Sequence, residues 1–299
     1  MIAKNLKIIL TIFFIFFPLG AKTKNIYSKD FNSKELSNYF SGIISHNNQK
    51  NEQALKYLKS SKQLLNKHDE YFRRLIFSLV LNQNVDRAIQ EIKFLRNKKQ
   101  SEFFEAQLIL LIDSINKKNF DQTKIYLNRL AKYTEEGTFE KVIYETLRDY
   151  EYTFKEKKWS NFKSNFGNLI AINNAFKSCY LNNPKTLDYF DKLKSSDAAD
   201  YSRYLFFYVN YLVHKKRFDL VKEISFEIDE LSSNLIILQT KSWIDKSSFN
   251  KIKEIFSCNN ENDLLAEFFY LVSNLYSSQD EYEQSNFYLN ISYFLNKKF

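Results

Sequence analysis

From about residue 35 to the end of the chain, apolar positions recur three and four residues apart, the period of a helix that buries one face. The first run, 35–47, groups Leu36, Tyr39, Phe40, Ile43 and Ile44, and the polar stretch His46 to Lys50 is a turn. The next run carries Ala54, Leu58, Ser61 and Leu65 on one face. The same alternation predicts helix pairs at 70–81 with 86–96, and at 106–116 with a return helix bearing Thr123, Leu127 and Leu130. Later pairs are predicted at 198–214 with 218–231, 234–245 with 248–257, and 262–277 with 280–296. Between 159 and 183 the pattern fits two short helices or one long one. Pro184 suits the first turn of a helix over Leu187, Phe190 and Leu193, and Ser195-Ser196-Asp197 offers a cap for the helix that follows.

One corner recurs between paired helices. An apolar residue and an acid stand ahead of a smaller residue in Val85-Asp86-x-Ala88, Phe120-Asp121-x-Thr123, Phe218-Asp219-x-Val221 and Tyr282-Glu283-x-Ser285. The acid sits in a first turn, where the helix macrodipole favours negative charge. The small residue lets two helices approach, and the apolar one plugs the corner. The small positions Ala54 and Ala88 are 34 residues apart, and each is followed at +4 and +7 by residues of the same face: Leu58 and Ser61, Ile92 and Leu95. Thr123-Leu127-Leu130 and Ser285-Leu289-Ser292 repeat that spacing.

This pattern resembles the A-x-x-x-F-x-x-A part of the tetratricopeptide repeat. The resemblance implies an all-α fold, a right-handed α-solenoid of antiparallel helix pairs with about seven to eight irregular repeats. Ile76, Leu111 and Val209 stand where the family has Gly or Ala, which implies wider helix spacing. In such arrays the first helix of each pair lines the concave surface. By phase, that places Tyr39, Arg73, Phe77, Phe206, Asn210 and His214 in a partner-binding groove.

The N-terminus changes the picture from fold to compartment. MIAKNLK, the apolar run IILTIFFIFF and a small residue at Ala21 describe a signal peptide over 1–21, followed by a polar lead-in over 22–34 and the repeat domain over 35–299. The run is short of the roughly 20 residues a membrane span needs, and no later stretch could cross a bilayer. The chain is expected to be exported to the periplasm or envelope; the alternative is a tether through an uncleaved N-terminal segment. No Cys follows the run to carry a lipid.

Composition adds less. Four Gly and two Pro are few for a sheet protein, and the 29 Phe and 20 Tyr fit helix cores in a chain drawn from AT-rich coding. The net charge of +9 is spread among acids, and its densest clusters, Arg96 to Lys99 and Lys215 to Arg217, fall in turns, so no nucleic-acid partner is expected. His46, His68 and His214 lie in different units, so no metal site is expected. Cys179 and Cys258, about two repeats apart, are expected to be unbridged, since bridged Cα atoms approach to about 4.4–6.8 Å. No nucleophile motif or phosphate-cradling glycine loop occurs, and Glu135-Glu136 beside Gly137 reads as a solvated loop. No cofactor and no catalysis are expected. The aromatic run Tyr204, Phe207, Tyr208 and Tyr211 reads as core.

The functional expectation is an exported, non-catalytic scaffold for a protein or peptide partner, with a carbohydrate-binding or hydrolase-accessory protein as the alternative. Buried Trp159 and Trp243 would count against sugar binding. The last helix has apolar residues on several faces, including Phe287, Leu289, Ile291 and Tyr293, which predicts an exposed apolar end for a further repeat or a partner.

Overall fold

The computed structural model describes residues 32–95, 99–160, 162, 166–194, 202–228 and 235–298. Among these residues there are fifteen α-helices, three short 3-10 turns and no strand. In chain order the helices are α1 (Ser33–Asn47), α2 (Asn51–Lys59), α3 (Asp69–Leu81), α4 (Val85–Leu95), α5 (Phe104–Asn116), α6 (Phe120–Leu130), α7 (Phe139–Glu156) and α8 (Asn168–Tyr180). They continue with α9 (Thr186–Lys194), α10 (Ser202–His214), α11 (Phe218–Glu227), α12 (Leu235–Asp245), α13 (Phe249–Ile255), α14 (Glu261–Ser277) and α15 (Tyr282–Leu295). The expected signal segment, most of the lead-in and the cap at 195–197 lie outside the described residues. Helix α1 begins two residues before the periodicity does, because the Asn32 side chain accepts the Lys34 N–H and caps it. Among the described residues of the ambiguous stretch 159–183 there is one helix, α8.

Helices pack in adjacent pairs, and the pairs share one turn geometry. At α1–α2, α3–α4, α5–α6, α8–α9, α10–α11, α12–α13 and α14–α15 the turn holds a residue with positive φ: Gln49, Gln83, Lys118, Asn182, Lys216, Ser247 and Asp280. In α3–α4 the Gln83 N–H donates to the Val80 carbonyl and the Asn84 N–H reaches back to Leu79, both at 2.9 Å, a Schellman closure. The same pair of bonds recurs at each of the other six turns. These positive-φ residues follow one another at 34, 35, 64, 34, 31 and 33 residues. The long interval contains α7, an 18-residue helix.

The small corner positions do what the spacing predicts. Ala54, Ala88, Thr123 and Val221 are fully buried. Where the residue is a hydroxyl it bonds across the hairpin: Ser114 with Thr123 at 2.9 Å, Ser178 with Thr186 at 3.0 Å and Ser273 with Ser285 at 3.1 Å. In the first pair the approach leaves little room for a side chain. A Cβ on Gly42 would lie 3.0 Å from Leu58 Cγ.

Contacts are not confined to sequence neighbours. The last hairpin, α14–α15, packs on α3, α5 and α7. Phe287 of α15 meets Phe77 of α3 with ring centroids 4.7 Å apart, and Phe139 of α7 meets Tyr276 of α14 at 4.8 Å. Phe268 of α14 lies edge-on to Tyr150 of α7. Helix α5 is buried on every side from Phe104 to Ile115, as a helix covered on all faces must be.

At the C-terminal helix Tyr282, Leu289 and Tyr293 are exposed, while Phe287, Tyr288, Ile291 and Leu295 are buried. The expectation of unbridged cysteines is corrected. Cys179 and Cys258 are bridged, with Cα atoms 5.7 Å apart. In an array stacked only on neighbours these cysteines would be out of reach. Here the connection before α14 runs against the end of α8, where Phe176 packs on Phe256 and the Tyr180 hydroxyl donates to Glu261 at 2.7 Å.

Candidate functional site

Three acids of the last hairpin meet bases drawn from separate parts of the chain. Glu261, at the start of α14, lies 3.4 Å from Lys157 Nζ and 3.6 Å from Lys118 Nζ. Burial alone would raise its carboxyl, but the Tyr180 hydrogen bond, its own backbone N–H and the two lysines together hold it below the ordinary value. Glu267, in the middle of α14, is fully buried and takes a two-pronged contact from Arg203 Nε and Nη2 at 2.9 and 2.7 Å. Burial raises its carboxyl, and Arg203 pulls the other way. Glu283, in the first turn of α15, accepts from Arg74 at 3.2 Å and faces His46 at 3.8 Å. Burial holds the His46 imidazole below its usual range, with Arg74 adding to the fall and Glu283 opposing it.

A hairpin held by surface-like charges could be a removable lid, so its apolar burial decides the matter. Leu264, Leu265, Phe268, Phe269, Phe287 and Ile291 are each at most 1% exposed. At about 1.5–3 kcal/mol per buried side chain, these six contribute roughly 9–18 kcal/mol, as much as the roughly 5–15 kcal/mol that keeps a whole domain folded. The figure is an upper bound, since the two helices also cover each other. The hairpin is core.

Two open spaces flank it. One is a cavity of about 210 Å³ lined by Arg73, Phe77, Glu105, Glu140, Tyr276 and Phe287 among others. Arg73 Nη2 donates to Glu105 Oε1 at 2.9 Å, and the Tyr276 hydroxyl donates to Glu140 at 3.3 Å. Burial pushes the Glu105 carboxyl up, while Arg73 and its own backbone N–H pull it down. The other is a polar cleft of about 540 Å³ between the end of α1 and α15, lined by His46, Asn47, Glu283, Asn286 and Asn290 among others.

The six residues expected in one groove are dispersed. Arg73 and Phe77 meet at the 210 Å³ cavity, one helical turn apart. Tyr39 is buried against His68 and Tyr71. Phe206 is buried in the core. Asn210 is fully buried and donates to the Ile252 and Phe256 carbonyls at 2.7 and 2.8 Å, closing the end of α13. His214 is exposed beside the disulfide, with Nε2 3.4 Å from the Phe256 carbonyl. The last hairpin packs over α3 and α5, on the face where these residues were expected to meet. Glu105, Glu140, Tyr276 and Tyr288, which share the cavity, carry no spacing signal: an acid in the first turn of a helix looks the same whether solvated or buried.

Neither tryptophan is fully buried. Trp159 stacks on Tyr189 at 5.8 Å with Lys177 Nζ 4.7 Å from its ring, and Trp243 packs against the core. Comparison with protein-family models, curated proteins and solved structures finds no match for this chain.

Proposed function

We propose that this protein is an exported, non-catalytic member of the tetratricopeptide-like class that docks a protein partner on its outer surface at the meeting of its first and last helices. The recurrence of one Schellman turn at close to 34 residues supports the repeat reading. On that reading the chain is a right-handed solenoid whose hollow is filled by its own last hairpin, leaving the outside for recognition. The basic, apolar N-terminal sequence supports export.

The observation that carries the docking reading is a pair of uncovered apolar spots. On α1, Phe40 and Ile44 are 55% and 61% exposed, and on α15, Leu289 and Tyr293 are 43% and 40% exposed. Each pair is spaced i, i+4, so its members are neighbours on one helix face. The two helices meet across the polar cleft of His46 and Asn290. Exposed apolar residues scattered singly need no explanation, but grouped ones with a polar border have the make-up of a protein interface.

Phe40→Asp/Ile44→Asp and Leu289→Asp/Tyr293→Asp, made in the full chain, are expected to shift unfolding free energy by about 0.5 kcal/mol or less per site, as exposed substitutions do. Each is expected to weaken a partner captured from envelope extract by at least tenfold, about 1.4 kcal/mol. Capture unaffected by both variants would refute the docking site.

A further inference from the structure

Between α6 and α7 an open cavity of about 360 Å³ is bordered by a guanidinium without a counter-ion. One face of α7 supplies Tyr144, Arg148, Glu151 and Tyr152, while Ile143, Leu147, Tyr150 and Phe154 on another face are buried in the core. Arg148 Cζ lies 4.3 Å from the Phe162 ring centre and 5.6 Å from that of Tyr144, so two aromatic rings border the group. Among the described residues Arg148 has no hydrogen-bond or ion-pair partner. Its Nε is buried, so nothing in the cavity reaches it; Nη1 and Nη2 are the accessible part, and they too are unbonded. A guanidinium with a free pair of Nη groups is a receptor for a carboxylate, which it grips at two points.

We propose that this cavity binds a small monocarboxylate with an apolar body, its two oxygens accepting from Arg148 Nη1 and Nη2 and its body against Leu127, Tyr144 and Phe162. Charge sets the valence. Lys155 pairs with Glu156 at 4.0 Å, which leaves Arg148 and Lys124 against Glu151, a surplus of one positive charge. A doubly charged phosphate exceeds that surplus, and a cation would face Arg148 without compensation. Glu151 is the group that opposes the ligand. Burial raises its carboxyl, and Lys155 and Lys124 draw it down while Glu156 pushes it further up. The walls set the body. Leu127 is buried, and Tyr152 meets Phe162 edge-on at 5.8 Å. Phe162 is 42% exposed, an aromatic surface that an apolar group can cover. The site shares no residue with the outer docking surface, so either can fail without the other.

The test is isothermal titration of the full chain with 3-phenylpropanoate, which carries both charge and body, with 3-phenylpropan-1-ol for the body alone and acetate for the charge alone. Saturable one-to-one binding of 3-phenylpropanoate is expected, with acetate at least tenfold weaker and the alcohol not bound. Arg148→Gln is expected to weaken 3-phenylpropanoate at least tenfold and to melt as cooperatively as the wild type, since Arg148 makes no hydrogen bond within the fold. Arg148→Lys, which keeps the charge but loses the two-pronged grip, serves as a second variant and is expected to weaken it at least threefold. Glu151→Gln removes the opposing charge and is expected to bind no less tightly. Absence of 3-phenylpropanoate binding, equal binding of the alcohol or of acetate, undiminished binding in either Arg148 variant, or weaker binding in Glu151→Gln would overturn the proposal. An arginine that only stacks on its neighbouring rings gives the first of these results.

Discussion

Removal of residues 261–299 is expected to unfold the chain rather than shorten it. In a repeat array whose units touch only their neighbours, loss of the last pair removes one interface and leaves the rest standing. Here α14 and α15 cover α3, α5 and α7, so the deletion uncovers helices from the other end of the chain. Phe77 loses Phe287, Tyr150 loses Phe268, and Phe139 loses Tyr276. Arg74 and Arg203 lose the carboxylates of Glu283 and Glu267. The apolar contribution alone is of the order of a domain's net stability. Circular dichroism of the truncated chain should show helix without a cooperative melt, and amide exchange should show α3 and α5 unprotected. A truncated chain that melts cooperatively with α3 and α5 still protected would contradict the fold described.

Loss of the Cys179–Cys258 bridge is the second large effect expected. The cysteines are 79 residues apart, and closing a loop of that length removes about 4–5 kcal/mol of chain entropy from the unfolded state in the simplest treatment; typical bridges deliver about 2–4 kcal/mol. For a chain of this size that corresponds to a fall in Tm of roughly 3–6 °C. Cys179→Ser/Cys258→Ser and reductant-treated wild type should show the same fall. Equal melts with and without reductant would show that the thiols are not bridged. The position of the bridge strengthens the expectation. It ties the end of α8 to the connection that launches α14, so it fixes where the returning hairpin enters.

Helical periodicity revealed most of the hairpins because it depends only on which residues share a face. The corners at Asp86, Asp121, Asp219 and Glu283 were equally legible, since each combines a macrodipole-favoured acid with a small residue at a close approach. What periodicity does not report is which neighbour covers a face. Phe287 and Ile291 therefore read as part of an exposed end, although both are buried. The cysteines were misjudged for the same reason. The turns were hidden for another: seven Schellman closures place Gln, Lys, Asn, Ser or Asp in the left-handed region that glycine favours. A search for glycine at helix ends finds none of them. At the cavity, Arg73 and Phe77 were found by phase, but Glu105 was not, because its burial depends on a hairpin more than 150 residues later in the chain.

The central structural claim is that the last hairpin fills the face of the early helices, and a double-mutant cycle between Phe77 and Phe287 tests it most directly. The two residues belong to α3 and α15, and their rings are 4.7 Å apart. Phe77→Leu, Phe287→Leu and the double variant keep the core apolar and the chain folded. Chemical denaturation should give a coupling of about 0.5–1.5 kcal/mol, the worth of an aromatic pair beyond its area. Phe77 paired with the distant Phe190 of α9 should be additive within about 0.5 kcal/mol. Additivity between Phe77 and Phe287, as in an open array with a free end, would contradict the filled interior.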